Sequence, residues 1–179
     1  YDECTFIYNG TNWTQVACSP TRQYNGGSAG DASGMVIGGS SLPHSHPQHS
    51  GGPYAYADNR VQEYSCACDS WSTLPGLSVT HNGGIAGCSN QTRGFISGGS
   101  GVIDVIDYFE IATLGNGLDF GNLNTGRDRS AGCASATRGF NMAGYTPTYL
   151  NDINFWQISS KGNSQDFGDL SYPGVRDVS

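Results

Sequence analysis

Asp119-Phe120-Gly121-Asn122-Leu123 returns 47 residues later as Asp166-Phe167-Gly168-Asp169-Leu170. Ala86-Gly87-Cys88 returns 45 residues later as Ala131-Gly132-Cys133, and Thr92-Arg93-Gly94-Phe95 returns at the same spacing as Thr137-Arg138-Gly139-Phe140. Ile106-Asp107-Tyr108-Phe109 matches Ile153-Asn154-Phe155-Trp156. A more diverged copy lies upstream. There Gly26-Gly27-Ser28-Ala29-Gly30 resembles Gly83-Gly84-Ile85-Ala86-Gly87, and Met35-Val36-Ile37-Gly38-Gly39 resembles the run Gly94 to Gly99. Tyr8 and Trp13 stand to one another much as Tyr64 and Trp71 do. Self-similarity at a period of tens of residues means one supersecondary unit used repeatedly.

Each unit reads alike. A small-residue segment precedes a turn, then a short apolar strand ends in a glycine pair such as Gly38-Gly39 or Gly98-Gly99. A loop of variable length leads to an alternating strand, Val105 to Ile111 in the best copy, and a last short strand carries Trp13, Trp71, Phe120 or Phe167. Four short antiparallel strands per unit at this period are the signature of a β-propeller blade. Glycines suit the inner strands, where a side chain would crowd its neighbours. The units run about 1–21 (partial), 22–74, 80–121, 126–168 and 169–179 (the start of another), within one repeat domain over 1–179. That gives three to four blades, fewer than the ring closure that removes exposed sheet edges requires. The expectation is therefore a segment of a longer chain, favoured by the absent initial methionine, or a homo-oligomer that completes a ring.

Composition agrees with a β-structure. Of 179 residues 27 are glycine, charged residues make up only 13% and aromatics 11%, which argues against a solvated coil. No stretch holds three helical turns of apolar spacing free of Gly and Pro. The net charge is −7, and Lys161 is the single lysine. Such a chain lacks the basic surface that nucleic acid or anionic membrane would select, so neither is expected as a partner. No apolar run approaches the ~20 residues of a membrane span.

The glycine pair after an apolar strand, followed by Tyr and Trp, resembles the kelch repeat and the central propeller of galactose oxidase. The wording is most similar to kelch-like repeats of bacteriophage and cyanophage structural proteins. The matching stretches are Asn9-Gly10-Thr11-Asn12-Trp13-Thr14, Ala86 to Gly99, Ile106 to Leu123 and Ala131 to Leu170. The resemblance implies an all-β fold of antiparallel four-stranded blades in a kelch-like β-propeller. It further implies a non-catalytic virion structural protein, a tail fibre, spike or surface decoration, at the virion or in the extracellular space. Its loops would serve host attachment or assembly, with other virion proteins, copies of itself or a host-surface glycan as partners and no cofactor. Two other functions fit the same blades: a secreted carbohydrate-active or copper-dependent oxidase, and a kelch protein-interaction module. Fold alone does not choose between them.

Individual residues mark candidate sites. Three of the four histidines fall in Pro43-His44-Ser45-His46-Pro47-Gln48-His49, an insertion relative to the later units. His44 and His46, at i and i+2, can face one side of an extended strand as metal ligands do, and His49 can add a third; the alternative is a polar loop of solvated histidines. Loops on a rigid scaffold are where binding resides, which marks this loop together with those at 100–104 and 145–151, the last carrying Tyr145 and Tyr149. Cys4 and Cys18 are symmetric about a hairpin turn at 9–12, which puts them opposite one another and within disulfide reach; two unpaired thiols on an edge is the other reading. Cys88 and Cys133 occupy one repeat position and read as small buried cysteines. Cys66 and Cys68 read as a local disulfide or two free thiols. Phe120, Phe155, Trp156 and Phe167 are expected to pack between blades. The recurring Asp104, Asp107, Asp119, Asp152 and Asp166 suggest turns and strand ends, and Asn90-Gln91-Thr92 is a sequon that turn chemistry alone explains. No nucleophile elbow, phosphate loop or His-Glu-x-x-His is present.

Overall fold

The computed structural model describes residues 5–8, 10–17, 26–29, 33–37, 40–41, 56–57, 61–81 and 84–172. Every regular element among them is a β-strand and every pairing is antiparallel. A hairpin, β1 (Thr5–Tyr8) with β2 (Trp13–Val16), comes first. The first four-stranded sheet follows, with β3 (Gly26–Ala29), β4 (Ser33–Ile37), β7 (Val61–Ser65) and β8 (Ser70–Leu74) in that spatial order. Between β4 and β7 a small ribbon, β5 (Ser40–Ser41) with β6 (Tyr56–Ala57), brackets the long insertion. The middle sheet is β9 (Ala86–Ser89), β10 (Arg93–Ser97), β11 (Val105–Glu110) and β12 (Leu118–Asn122). The last sheet is β13 (Ala131–Ala134), β14 (Arg138–Met142), β15 (Asp152–Gln157) and β16 (Gln165–Asp169). Each sheet is a meander, so neighbours in sequence are neighbours in space.

The repeat is visible in the register. Gly34 faces Tyr64, Gly94 faces Phe109 and Gly139 faces Trp156 across the second and third strands. Gly94 and Gly139 make room for a ring. A Cβ on Gly94 would lie 2.1 Å from Phe109 Cζ, and one on Gly139 2.4 Å from Trp156 Cε2. The third and fourth strands carry the same bulge in both later sheets, where Phe120 and Phe167 each stand as the extra residue. Gly121 and Gly168 follow at φ 155° and 135°, a conformation that a side chain would oppose.

Successive side chains of a strand point to opposite faces, and the middle sheet buries both. One face of the middle sheet, through Ile96 and Phe109, packs with Val61, Leu77 and Ile85 toward the first sheet. The other, through Cys88, Phe95, Ile106, Tyr108 and Phe120, packs against Trp156 and Ile158 of the last sheet. Phe95 meets Phe120 edge-on at 5.2 Å and Trp156 at 5.6 Å. The first strands of successive sheets lie side by side, β3 next to β9 and β9 next to β13. A Cβ on Gly132 would be 2.7 Å from the Gly87 carbonyl, which explains the small residues there.

Several expectations change. Cys88 is buried as anticipated, and burial pushes its thiol up to about 12, whereas Cys133 is exposed. Phe120 and Trp156 are buried between sheets, but Phe155 is only half-buried and Phe167 is exposed. The physical reason is the same for Cys133, Phe155 and Phe167: they lie on the face of the last sheet against which no further sheet of the described residues packs. Asp107 is neither in a turn nor at a strand end. It sits inside β11, fully buried.

Candidate functional site

Two kinds of feature stand out in this scaffold: buried polar junctions that fix the sheets, and one exposed aromatic loop.

At the first junction the linker between β8 and β9 turns its polar groups into the middle sheet. Ser78 donates through its backbone N–H (2.9 Å) and its hydroxyl (2.5 Å) to the Asp107 carboxylate, and Val79 N–H adds a longer bond at 3.3 Å. His81, fully buried, donates from Nδ1 to the Gly98 carbonyl at 2.7 Å and holds Nε2 3.4 Å from Asp107 Oδ2. Burial alone would push the Asp107 carboxyl up; His81, Ser78 and Val79 outweigh it and hold the group below the usual carboxylate range. The Ser, Asp and His here do not form a nucleophilic triad. The serine hydroxyl is spent on the carboxylate rather than presented to the imidazole.

At the second junction Arg127 takes the place of His81. Its Nη1 donates to the Ala143 carbonyl at 3.0 Å, the counterpart of Gly98, and the guanidinium forks onto Asp152 at 2.6 and 3.1 Å. Asn154 replaces Asp107. Its Oδ1 accepts from Asn124 N–H and Ser164 Oγ, and its Nδ2 donates to Asp152. Deeper in, Asn141 Nδ2 donates to the hydroxyls of Ser97 and Ser130. The basic side chain and its carboxylate have thus changed together between the two copies, as a longer, permanently charged guanidinium demands.

The aromatic loop is held by this second junction. Ala143 (φ 56°) and Gly144 (φ 105°) turn the chain out of β14. Tyr145 and Asp128 then exchange both backbone hydrogen bonds, at 2.7 and 2.8 Å. Leu150 N–H returns to the Gly144 carbonyl at 3.0 Å, closing the loop. Tyr145 and Tyr149 remain 37% and 42% exposed, with rings edge-to-face at 5.4 Å. The two tyrosines marked in sequence are therefore one feature, a rigid amphipathic pair of rings. Beside Tyr145 runs Asp128-Arg129, with Arg129 Nε 3.7 Å from Asp128 Oδ2 and Arg129 N–H bound to Gly84 O at 2.6 Å. Sequence reading missed Asp128 and Arg129, although Arg127-Asp128-Arg129 is a dense charged run in a chain only 13% charged. Paired rings flanked by an acid and a base can stack on and hydrogen-bond a polyhydroxylated ligand.

The remaining candidates separate. His44, His46 and His49 lie outside the described residues, as do Cys4 and Cys18, while the described hairpin pairs Thr5 with Val16 and Tyr8 with Trp13, one residue off the register that the Cys4–Cys18 expectation assumed. Among the described residues no three His, Cys, Asp or Glu side chains gather as a metal site. Cys66 and Cys68 are exposed and not bridged to one another. They sit in the turn beside Asp69, whose carboxylate accepts from Ala17 N–H and from the Tyr64 hydroxyl. Burial, then Asp69, pushes that phenol up to about 12. Trp71 Nε1 donates to the Ala17 carbonyl, so the N-terminal hairpin is pinned to the first sheet. Asn90 behaves as turn chemistry predicts. Its Oδ1 accepts from the N–H groups of Thr92 and Arg93, and its amide donates to Ala136 O of the last sheet.

No protein-family model matches the chain, and no curated protein matches it. Among solved structures the chain is similar to that of YjhT, with a TM-score of 0.72 and 13% identity, over 97% of this chain and 61% of that one. The chain thus spans 61% of that protein's length. At this identity the likeness bears on the fold alone: an all-β arrangement of antiparallel four-stranded sheets, compatible with a β-propeller-like module.

Proposed function

We propose that the three four-stranded sheets are blades of a kelch-like β-propeller in a non-catalytic structural protein of a virion, whose loops attach to a host surface. The recurring register, the glycine–aromatic pairs and the side-by-side first strands support the blade reading. The virion placement follows from the resemblance of the repeats to those of phage structural proteins. The observation that carries attachment is the Tyr145–Tyr149 pair, exposed on a loop that the backbone locks at both ends. Tyrosines held this way offer contact area at low entropic cost, and their hydroxyls match a glycan's.

The test is binding of the 179-residue chain to an array of cell-surface glycans. Retention of at least one glycan class is expected, with a loss of tenfold or more in the Tyr145→Ala/Tyr149→Ala variant at unchanged melting temperature. Absence of any retention, or retention indifferent to both tyrosines, sinks the attachment reading. Turnover of a sugar, or copper-dependent oxidation, would move the chain to the enzyme class instead. Peptides of the chain found by mass spectrometry in purified particles check the virion placement.

A further inference from the structure

The outer face of the last sheet repeats the face of the middle sheet that the last sheet covers. Cys88, Phe95, Ile106, Tyr108, Phe120 and Leu123 have Cys133, Phe140, Ile153, Phe155, Phe167 and Leu170 as counterparts. The first six are all buried, and none of the second six is. Uncovered, the rings nonetheless keep their arrangement. Phe95 and Phe120 meet at 5.2 Å and 87°, Phe140 and Phe167 at 5.4 Å and 87°; Tyr108 and Phe120 meet at 5.5 Å, Phe155 and Phe167 at 5.8 Å. Arg93 lies 5.1 Å over Tyr108, and Arg138 lies 5.1 Å over Phe155.

The covered copy states what such a face receives. Trp156 from the third strand of the covering sheet reaches Phe95 at 5.6 Å, and Arg93 donates to the Ile158 carbonyl of that sheet. The turn before β16 then donates Gly162 N–H to Phe120 O (3.0 Å) and Ser164 N–H to Asn122 O (2.8 Å). That turn comes so close that a Cβ on Gly121 would be 2.3 Å from Gly162 O. Gly168, the counterpart of Gly121, keeps the same backbone with nothing within 4 Å of its Cβ position.

We propose that the face formed by Cys133, Phe140, Phe155, Phe167 and Arg138 is a docking surface for one further four-stranded sheet of this repeat type. The occupant presents an indole or phenyl ring from its third strand onto Phe140, a carbonyl to Arg138, and two consecutive-turn N–H groups to the carbonyls of Phe167 and Asp169. The proposal rests on the internal repeat and is independent of what the Tyr145–Tyr149 loop binds.

The test follows alkylation of each cysteine by mass spectrometry, in the 179-residue chain and in an extended chain with a second copy of residues 124–170 inserted after Leu170. In the 179-residue chain Cys133 is expected to react like the exposed Cys68, while Cys88 stays protected and reports folding. In the extended chain the original Cys133 is expected to slow at least tenfold, with the second copy's own cysteine taking over the fast reaction. Replacing the inserted copy's tryptophan by alanine, or Phe167→Asp in the extended chain, is expected to restore fast labelling. A Cys133 that stays fast in the extended chain overturns the proposal. So does a 179-residue chain that is dimeric by light scattering with Cys133 already slow, since the occupant is then a second copy of the chain.

Discussion

Phe120 in the middle sheet is 2% exposed; Phe167, at the same bulge one repeat later, is 54% exposed. Sequence, register and ring geometry agree between the two sites, so local structure is not what separates them. The difference is the neighbour. A sheet of this repeat organises its own aromatic triplet but needs the next sheet to take it out of water. Local order and burial are therefore separate steps here, and this face of each sheet gains its hydrophobic stabilisation only when the following sheet packs on it.

The largest expected contrast comes from truncating the first ring. Phe95→Ala leaves a cavity among Phe120, Tyr108 and Trp156 and is expected to cost ~3–5 kcal/mol. Phe140→Ala, on the uncovered face, is expected to cost less than about 1 kcal/mol. Equal losses in urea melts would break the comparison. Gly94→Ala and Gly139→Ala sharpen it from the other side. Both glycines admit rings that lie toward the preceding sheet, Phe109 and Trp156, and both rings are buried. Each substitution is expected to cost ~1–3 kcal/mol by overpacking, alike in the two sheets.

The buried junctions give a contrast in pH. Asp107 is held below its ordinary value, so it contributes stability above the ordinary carboxylate range, lost as pH falls through its lowered folded value. The wild-type melting temperature is expected to fall on acidification below about pH 4, the unperturbed carboxylate region. Asp107→Asn should cost roughly 1–3 kcal/mol at neutral pH and flatten that acid limb. An unchanged limb in the variant would assign acid sensitivity to other carboxylates. The smallest effect belongs to Phe167→Ser, expected within ~0.5 kcal/mol of wild type because the ring has little burial to lose.

The repeat and its strands were legible because duplication writes the same residues twice, and antiparallel meanders need only short-range pairing. The glycine–aromatic pairing was legible for the same reason. Cys133 and Phe167 were misjudged because burial belongs to a residue's surroundings, and their sequence is that of their buried counterparts. The junctions were hidden more deeply. His81 and Arg127 perform one task with different chemistry, and Asp107 hands its place to Asn154 while the carboxylate moves to Asp152. The repeat aligns Asp107 with Asn154, but no identity between His81 and Arg127 marks their common role. Tyr145 and Tyr149 were marked as loop aromatics, but only the backbone exchange between Asp128 and Tyr145 makes them one surface.

The linker at Arg127 has a mechanical consequence. Its backbone belongs to the middle sheet, through Arg127 N–H to Ile103 O and Gly99 N–H to Arg127 O, while its guanidinium is anchored in the last sheet at Ala143 and Asp152. A chain pulled from its ends meets at this point a bolt driven through two plates. Load on either sheet is shared with the other, and neither can be peeled away until the guanidinium leaves its carboxylate.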